Sequence, residues 1–264
     1  MRDSQHDGQA GGEGEADGVS RFAAAVVARL ISRDERTAAA ERAMIVGKLR
    51  DAVLSSDRLA FDALRPELRR ARLSAAILAD EIIPEVARSV GCDWMEDRLS
   101  FADVTIASAR LQGILRSIGA EWFSDQADSS RPDTVLVIVP DGEQHTLGAM
   151  VLTGQLRRRG LSVCLRIGLE RETLAHLLRD RRFGGALISF ASAQRLASCR
   201  GLVDCIRQSA HPRIPVIIGG AVLDLVEEVA TKTGADVATN DLAKALAALN
   251  LTFFSGELEL GNVS

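Results

Sequence analysis

A chain of 264 residues has room for two modest domains, and 47% hydrophobic residues is ample for packed cores. A net charge of −4 argues against a nucleic-acid binder, and the four cysteines (Cys92, Cys164, Cys199, Cys205) lack the C-x-x-C spacing of a zinc site or haem attachment. No apolar run approaches the length of a membrane span and residues 1–20 lack the apolar core of a signal peptide, so a cytoplasmic protein with free thiols is expected.

Residues 1–20 are rich in Gly, Asp, Glu and Gln, with almost nothing to bury, and are expected to form a disordered tail. His6 lies there without neighbouring ligand types. Residues 21–124 read as a helical domain. Phe22, Val26, Val27, Leu30 and Ile31 mark one amphipathic segment; Met44, Ile45, Leu49, Val53 and Leu54 mark a second. Pro66 is expected to open a third at its first turn, continuing through Leu68, Leu73 and Ile77. A fourth runs from Ile82 to Val90 and stops before Gly91-Cys92-Asp93-Trp94. Ser100 reads as the N-cap of a helix over Phe101–Ile118, with Asp103 at its third position. Nothing here has the form of a DNA-reading helix, and the arginine clusters (Arg69, Arg70, Arg72; Arg179, Arg181, Arg182) read as solvated faces.

Residues 125–132, DQADSSRP, are polar and rich in breakers, as a linker is. Residues 133–264 then alternate strand and helix. Strands are expected at Thr134–Val139, Ser162–Ile167, Ala186–Phe190, Pro215–Ile218 and Asp236–Ala238. Helices follow at Thr146–Arg159, Glu170–Arg181, Arg195–Ser209, Leu223–Thr233 and Asp241–Ala248. Such alternation implies right-handed crossovers and a parallel sheet covered on both faces. The expected fold is α/β: an N-terminal helical bundle followed by a flavodoxin-like (Rossmann-type) five-stranded parallel sheet.

Ligands bind at the carboxyl edge of such sheets. There the chain places Asp141, Gly142, Glu143, Gln144, His145 and Gly148 after strand one, and Ser189, Phe190, Ala191 and Ser192 at the end of strand three. Gly219, Gly220 and Ala221 follow strand four; Thr239, Asn240 and Asp241 follow strand five. An imidazole with a carboxylate in reach of its second nitrogen is suited to ligating a metal. Small residues at adjacent strand ends leave a trench for a long ligand, and paired glycines admit close approach of backbone amides. A phospho-receiver would need an acid where strand three ends in Ser189-Phe190-Ala191, and a dinucleotide site would need GxGxxG where the chain has DGEQHTLG. A flavin site would more often supply a stacking aromatic, and the chain has no tyrosine. His176 and His211 read as surface residues. No nucleophile–base pair or acid–base dyad accompanies the trench, so autonomous catalysis is not expected.

Glu143-Gln144-His145-Thr146-Leu147-Gly148, then forty residues, Ser189-Phe190-Ala191, then twenty-seven, and Gly219-Gly220 resembles the cobalamin-binding signature: Asp/Glu-x-His-x-x-Gly, Ser-x-Leu and Gly-Gly. Gly234-Ala235-Asp236 before the last helix resembles that domain too. The resemblance implies that His145 replaces the vitamin's benzimidazole below cobalt and that Glu143, in place of the commoner aspartate, holds its second nitrogen. It implies a nucleotide tail in the trench of Ser189, Ser192, Gly219 and Gly220, with Asp141, Gly142, Gln144, Thr146, Leu147, Gly148, Met150, Phe190, Ala191, Ala221, Thr239 and Asn240 around the cofactor. Ala191 departs from the family's leucine.

Val90-Gly91-Cys92-Asp93-Trp94, with Leu99-Ser100 and Val104, is similar to the helical cap over the upper corrin face, which adds Trp94 and Val104 to the cofactor's surroundings. Photoreceptors of this kind carry a Glu-His pair ten and eleven residues after the tryptophan; Val104 and Thr105 stand there, so aquo- or hydroxocobalamin is the expected form. The helical domain followed by GEQHTLGAMVLTGQLRRRG resembles, over most of residues 70–250, the AerR/PpaA-type antirepressors of photosynthetic purple bacteria. That resemblance implies a light-responsive regulator without a DNA-reading domain, whose partner is a CrtJ/PpsR-type repressor of photosystem genes. Two other readings remain: a corrinoid shuttle for a methyltransferase, whose loop usually reads DxHDIG, and a haem sensor with His145 as axial ligand.

Overall fold

The computed structural model describes residues 39–57, 59–71, 73–119 and 134–249. The expected tail, the segment from Phe22 to Ile31, and the linker lie outside the described residues.

A helix, α1, covers residues 39–54 and buries Ile45, Leu49 and Val53, one face at a spacing of four. Helix α2 (Ala60–Arg70) buries Leu64 and Leu68. Pro66 lies inside α2 and not at its first turn as expected. The chain turns earlier because the Asp57 carboxylate accepts the Leu59 N–H at 2.8 Å. Helix α2 ends at Arg70 instead of continuing through Leu73 to Ile77, because Ser74 caps a new helix there. Helix α3 (Ala75–Ile77), capped by Ser74, passes through a π turn (Leu78–Ile82) into α4 (Ile83–Met95). Helix α4 continues beyond the stop expected at Gly91. A helical glycine costs only about 1 kcal/mol, and beyond it Asp93 is buried and ion-paired with Arg50 and Arg98. Asp97, in the left-handed region at φ 56, ends the turn. Helix α5 (Phe101–Ile118) starts where expected, with a Ser100–Asp103 capping box.

Beyond residue 134 the expected alternation is observed. Strand β1 (Val135–Pro140) leads to α6 (Leu147–Arg158), β2 (Val163–Leu169) to α7 (Arg171–Asp180), and β3 (Gly185–Ser189) through a 3-10 turn (Ala193–Arg195) to α8 (Leu196–Ser209). Strand β4 (Val216–Gly219) is followed by α9 (Val222–Leu225) and α10 (Val229–Thr233), and β5 (Val237–Ala238) by α11 (Leu242–Leu249). All pairings are parallel, in the order β2-β1-β3-β4-β5, the flavodoxin-like order. The single helix expected over Leu223–Thr233 is broken, with Val226 extended and Glu228 at φ 55. Continuing it would have stacked Asp224 against Glu228 one turn apart, a like-charge pair.

Strand residues alternate between two cores. Leu136, Ile138, Ala186, Ile188, Val216 and Ile218 pack with α7, α8 and α10. Val135, Val137, Val139, Leu187 and Ile217 pack with α6 and α11. Met150 and Val151, on the other side of α6, complete a third core built from α1, α2, α4 and α5. Helix α6 is thus shared by sheet and bundle. Asp80 of the π turn pairs with Arg158 near its end, and Gln112 of α5 donates to Thr146 Oγ1 at its start, at 3.0 Å. Cys92 is exposed and Cys164, Cys199 and Cys205 are buried, with the Cys199 thiol pushed up to about 12 by burial. Among the described residues no helix is long and apolar enough to cross a membrane.

Candidate functional site

Strand β1 ends at Pro140, whose carbonyl accepts the Glu143 N–H at 3.1 Å; Gly142, at φ +71, supplies the left-handed residue this turn needs. The turn buries the Glu143 side chain, 3% exposed, and leaves the His145 ring 71% exposed. Glu143 Oε1 accepts the His145 backbone N–H at 2.8 Å and faces His145 Nδ1 at 2.7 Å. Its other oxygen, Oε2, accepts the Ala191 N–H at 3.0 Å from the loop after β3. Burial pushes this carboxyl up, but the Ala191 and His145 amides and the His145 ring outweigh it and hold it below the usual range. A carboxylate at Nδ1 places the ring proton there and leaves the Nε2 lone pair for a ligand. Gly148 is exposed, with nothing within 4 Å of where a side chain would begin, so the first turn of α6 leaves open space.

The residues after β3, β4 and β5 close on one another. Ser189, Phe190 and Ala191 are buried; Ser192 is half-buried, and its hydroxyl bonds the Gln194 side chain. Gly220, at φ +109, donates its N–H to Asn240 Oδ1 at 2.7 Å, and Asn240 Nδ2 donates back to its carbonyl at 3.2 Å. A side chain at Gly220 would overlap the Phe190 carbonyl, and one at Gly219 would come within 3.1 Å of the Thr239 carbonyl. The close approach that these glycines permit is therefore made by protein backbone, where the sequence had suggested an open wall. Ala221 and Asn240 are exposed beside them and Thr239 half-buried.

Asp141 and Gln144 are exposed at the rim, and Thr146 and Leu147 are half-buried at the start of α6. Met150 is not at the sheet edge: at 4% exposed, its side chain sits in the bundle core. Thr146 and Met150 stand one turn apart on one face of α6, the face that Thr146 already turns to Gln112 of α5. Trp94, at the end of α4, is 46% exposed, while Val104 packs against the bundle core. Phe101, Thr105, Ser108 and Gln112 share one face of α5, running from the α4–α5 corner to the Thr146 contact. The Thr105 hydroxyl is taken up by the Phe101 carbonyl at 2.8 Å.

Three contributors to the site carried no signal in the sequence. They are the Ala191 N–H, Gln112, and Arg195, whose guanidinium donates to the carbonyls of Asp141 at 3.0 Å and Gly142 at 2.7 Å. Each acts across a large sequence separation.

Among the described residues no three His, Cys, Asp or Glu side chains converge on a metal position. One oriented imidazole is too small a donor set for a bare ion, but it fits a metal that arrives inside its own macrocycle, needing a single axial ligand.

A family model described as the B12 binding domain matches residues 133–250. A Rhodobacter capsulatus protein, "Uncharacterized 20.5 kDa protein in bchF-crtJ intergenic region", is 40% identical over 191 residues, 72% of this chain and all of that relative. The Methanosarcina barkeri monomethylamine corrinoid protein aligns with 79% of this chain and 99% of its own at a TM-score of 0.63 and 16% identity, a likeness of fold. The chain belongs to the B12-binding domain family, and its motifs together with the 40% identical Rhodobacter capsulatus relative from the bchF-crtJ region put it among the AerR/PpaA-type proteins.

Proposed function

We propose that this chain holds cobalamin through His145 and acts as a light-responsive cytoplasmic regulator. Its partner would be a CrtJ/PpsR-type repressor of photosystem genes, and binding that repressor would relieve it. In this reading the protein neither catalyses a reaction nor reads DNA itself. The observation that carries the proposal is the buried Glu143 carboxylate, 2.7 Å from Nδ1 of an exposed ring. That arrangement fixes the tautomer and leaves Nε2 for cobalt. Ser189, Ser192, Gly219 and Gly220 would flank the nucleotide tail, and Trp94 and Val104 belong to the helical side. An alkylcobalamin would bring a light-labile cobalt–carbon bond, and the aquo or hydroxo form left once that bond is photolysed is the one expected here.

The partner is supported by the relative's locus, between bchF and crtJ, the second being the name of the repressor type in question. Helix α6 supports a response at a distance, because its first turn follows His145 while Met150 and Val151 lie in the bundle core. For such a switch to work, the ligand must favour the partner-competent arrangement.

The test is repressor capture with and without hydroxocobalamin, and with His145→Ala. Capture only by the loaded wild-type protein is expected; equal capture in all three samples would overturn the partner reading. The absorption spectrum of reconstituted protein checks the cofactor. Corrin bands are expected, and a porphyrin band would overturn the assignment.

A further inference from the structure

The pair Glu143–His145 sits on a loop whose own backbone holds it by two hydrogen bonds, from the Glu143 N–H to the Pro140 carbonyl and from the Thr146 N–H to the Gln144 carbonyl. The two carbonyls between Pro140 and Glu143, those of Asp141 and Gly142, lie beyond the last paired residue of β1, and both meet the guanidinium of Arg195. Arg195 comes from the 3-10 turn after β3, the same connection that supplies the Ala191 N–H to Glu143 Oε2. Both halves of the imidazole's loop are therefore tied to one neighbouring loop, the carboxylate by an amide and the turn by a guanidinium. The guanidinium lies so close over Gly142 that a side chain there would begin 2.5 Å from Nη2 and 2.9 Å from Nη1. Glycine is favoured at 142 by its φ of +71, and a side chain there would have to push the guanidinium aside.

We infer that Arg195 is a positioning residue for His145: by bridging the Asp141 and Gly142 carbonyls it holds the turn that aims the Glu143–imidazole pair. The inference rests on the reading of His145 as the lower ligand. The planar fork of a guanidinium can hold two consecutive carbonyls at once, which a single ammonium cannot do with the same geometry. Without the strap the Pro140–Glu143 part of the loop keeps only its own backbone bond, and ligand binding must then supply the ordering that it has lost.

Two measurements test it. In the ligand-free protein, amide hydrogen exchange at Glu143 and His145 should quicken severalfold in Arg195→Gln, while the amides of β1 and β3 keep wild-type rates. In absorbance titrations, hydroxocobalamin should bind Arg195→Gln roughly tenfold more weakly, the lower end of what partners outside the first ligand shell contribute. Arg195→Lys should not restore wild-type affinity; full restoration would show that charge alone suffices and would overturn the strap. Gly142→Ala supplies an independent arm. Its loss of affinity should be smaller in the Arg195→Gln background than in wild type, and strictly additive losses would overturn the inference. Unchanged exchange in Arg195→Gln would overturn it as well. His145→Ala keeps the two readings apart. Should it bind hydroxocobalamin as wild type does, the lower-ligand reading fails, and ligand-free exchange still decides whether Arg195 holds the turn.

Discussion

The loop after β1 and the loop after β4 share one sheet edge, yet they are held by different forces. The first is anchored by a buried carboxylate with three hydrogen-bond partners and by a guanidinium across two carbonyls. The second is held by an exposed asparagine making two neutral hydrogen bonds, and by glycines that let backbones meet. Charge-assisted bonds to buried groups are about twice as strong as neutral ones. The edge is therefore tied more firmly at the loop that carries His145 than at the glycine loop. It is more easily parted where a long tail would be accommodated.

The largest expected effect falls on the imidazole itself. His145→Ala should weaken hydroxocobalamin binding on the order of 100-fold or more, since even partners one shell further out contribute roughly 10–100-fold; absorbance titration measures this. Next is Gly220→Ala, which forces a side chain into the Phe190 carbonyl at φ +109. It should cost about 3 kcal/mol of stability, read by chemical denaturation, and a loss under 1 kcal/mol would mean that the glycine loop yields readily. Glu143→Gln keeps the size but removes the charge and one acceptor. It should weaken the vitamin's binding roughly tenfold and leave the fold intact by circular dichroism. Asn240→Ala removes two neutral bonds to Gly220 and should cost about 1 kcal/mol, leaving the His145 loop's amide exchange unchanged. A matching change in both loops would show that the edge behaves as one unit.

The smallest effect concerns acid stability at the base of the second region. Asp236 bonds the Arg207 guanidinium and the Val216 N–H at the start of β4. Burial raises its carboxyl, but these partners prevail and hold it below the usual range. Its contribution is thus present above the ordinary carboxylate pKa and lost as pH falls through the depressed folded value. Asp236→Asn should be less stable than wild type near neutrality, and the gap should close in acid. A constant gap from neutral to acid pH would show that hydrogen bonding, not charge, is what Asp236 contributes.

Apart from the broken helix expected over Leu223–Thr233, strand and helix positions beyond residue 134 were legible because each signal is local. An unbroken apolar run such as Val135–Val139 marks a strand buried on both faces, and apolar residues every three or four mark α6. The capping box at Ser100 and Asp103 was legible for the same reason. Pro66 and Gly91 misled, because a proline and a glycine in a helix cost energies that packing and an ion pair can offset.

His145 and Glu143 could be paired from the sequence because they stand two residues apart on one loop, within reach whatever the rest of the fold does. The sequence alone thus determined the parallel α/β plan, the identity of the imidazole and the carboxylate that serves it. Tertiary structure decided that the carboxylate is buried, that Ala191 and Arg195 fasten its loop from 48 and 54 residues away, and that Met150 belongs to the bundle. It also decided that Asn240 seals Gly220. Periodicity encodes only neighbours within a turn or a pleat. Which loops meet at a sheet edge depends on strand order and crossovers, and no window of sequence contains them.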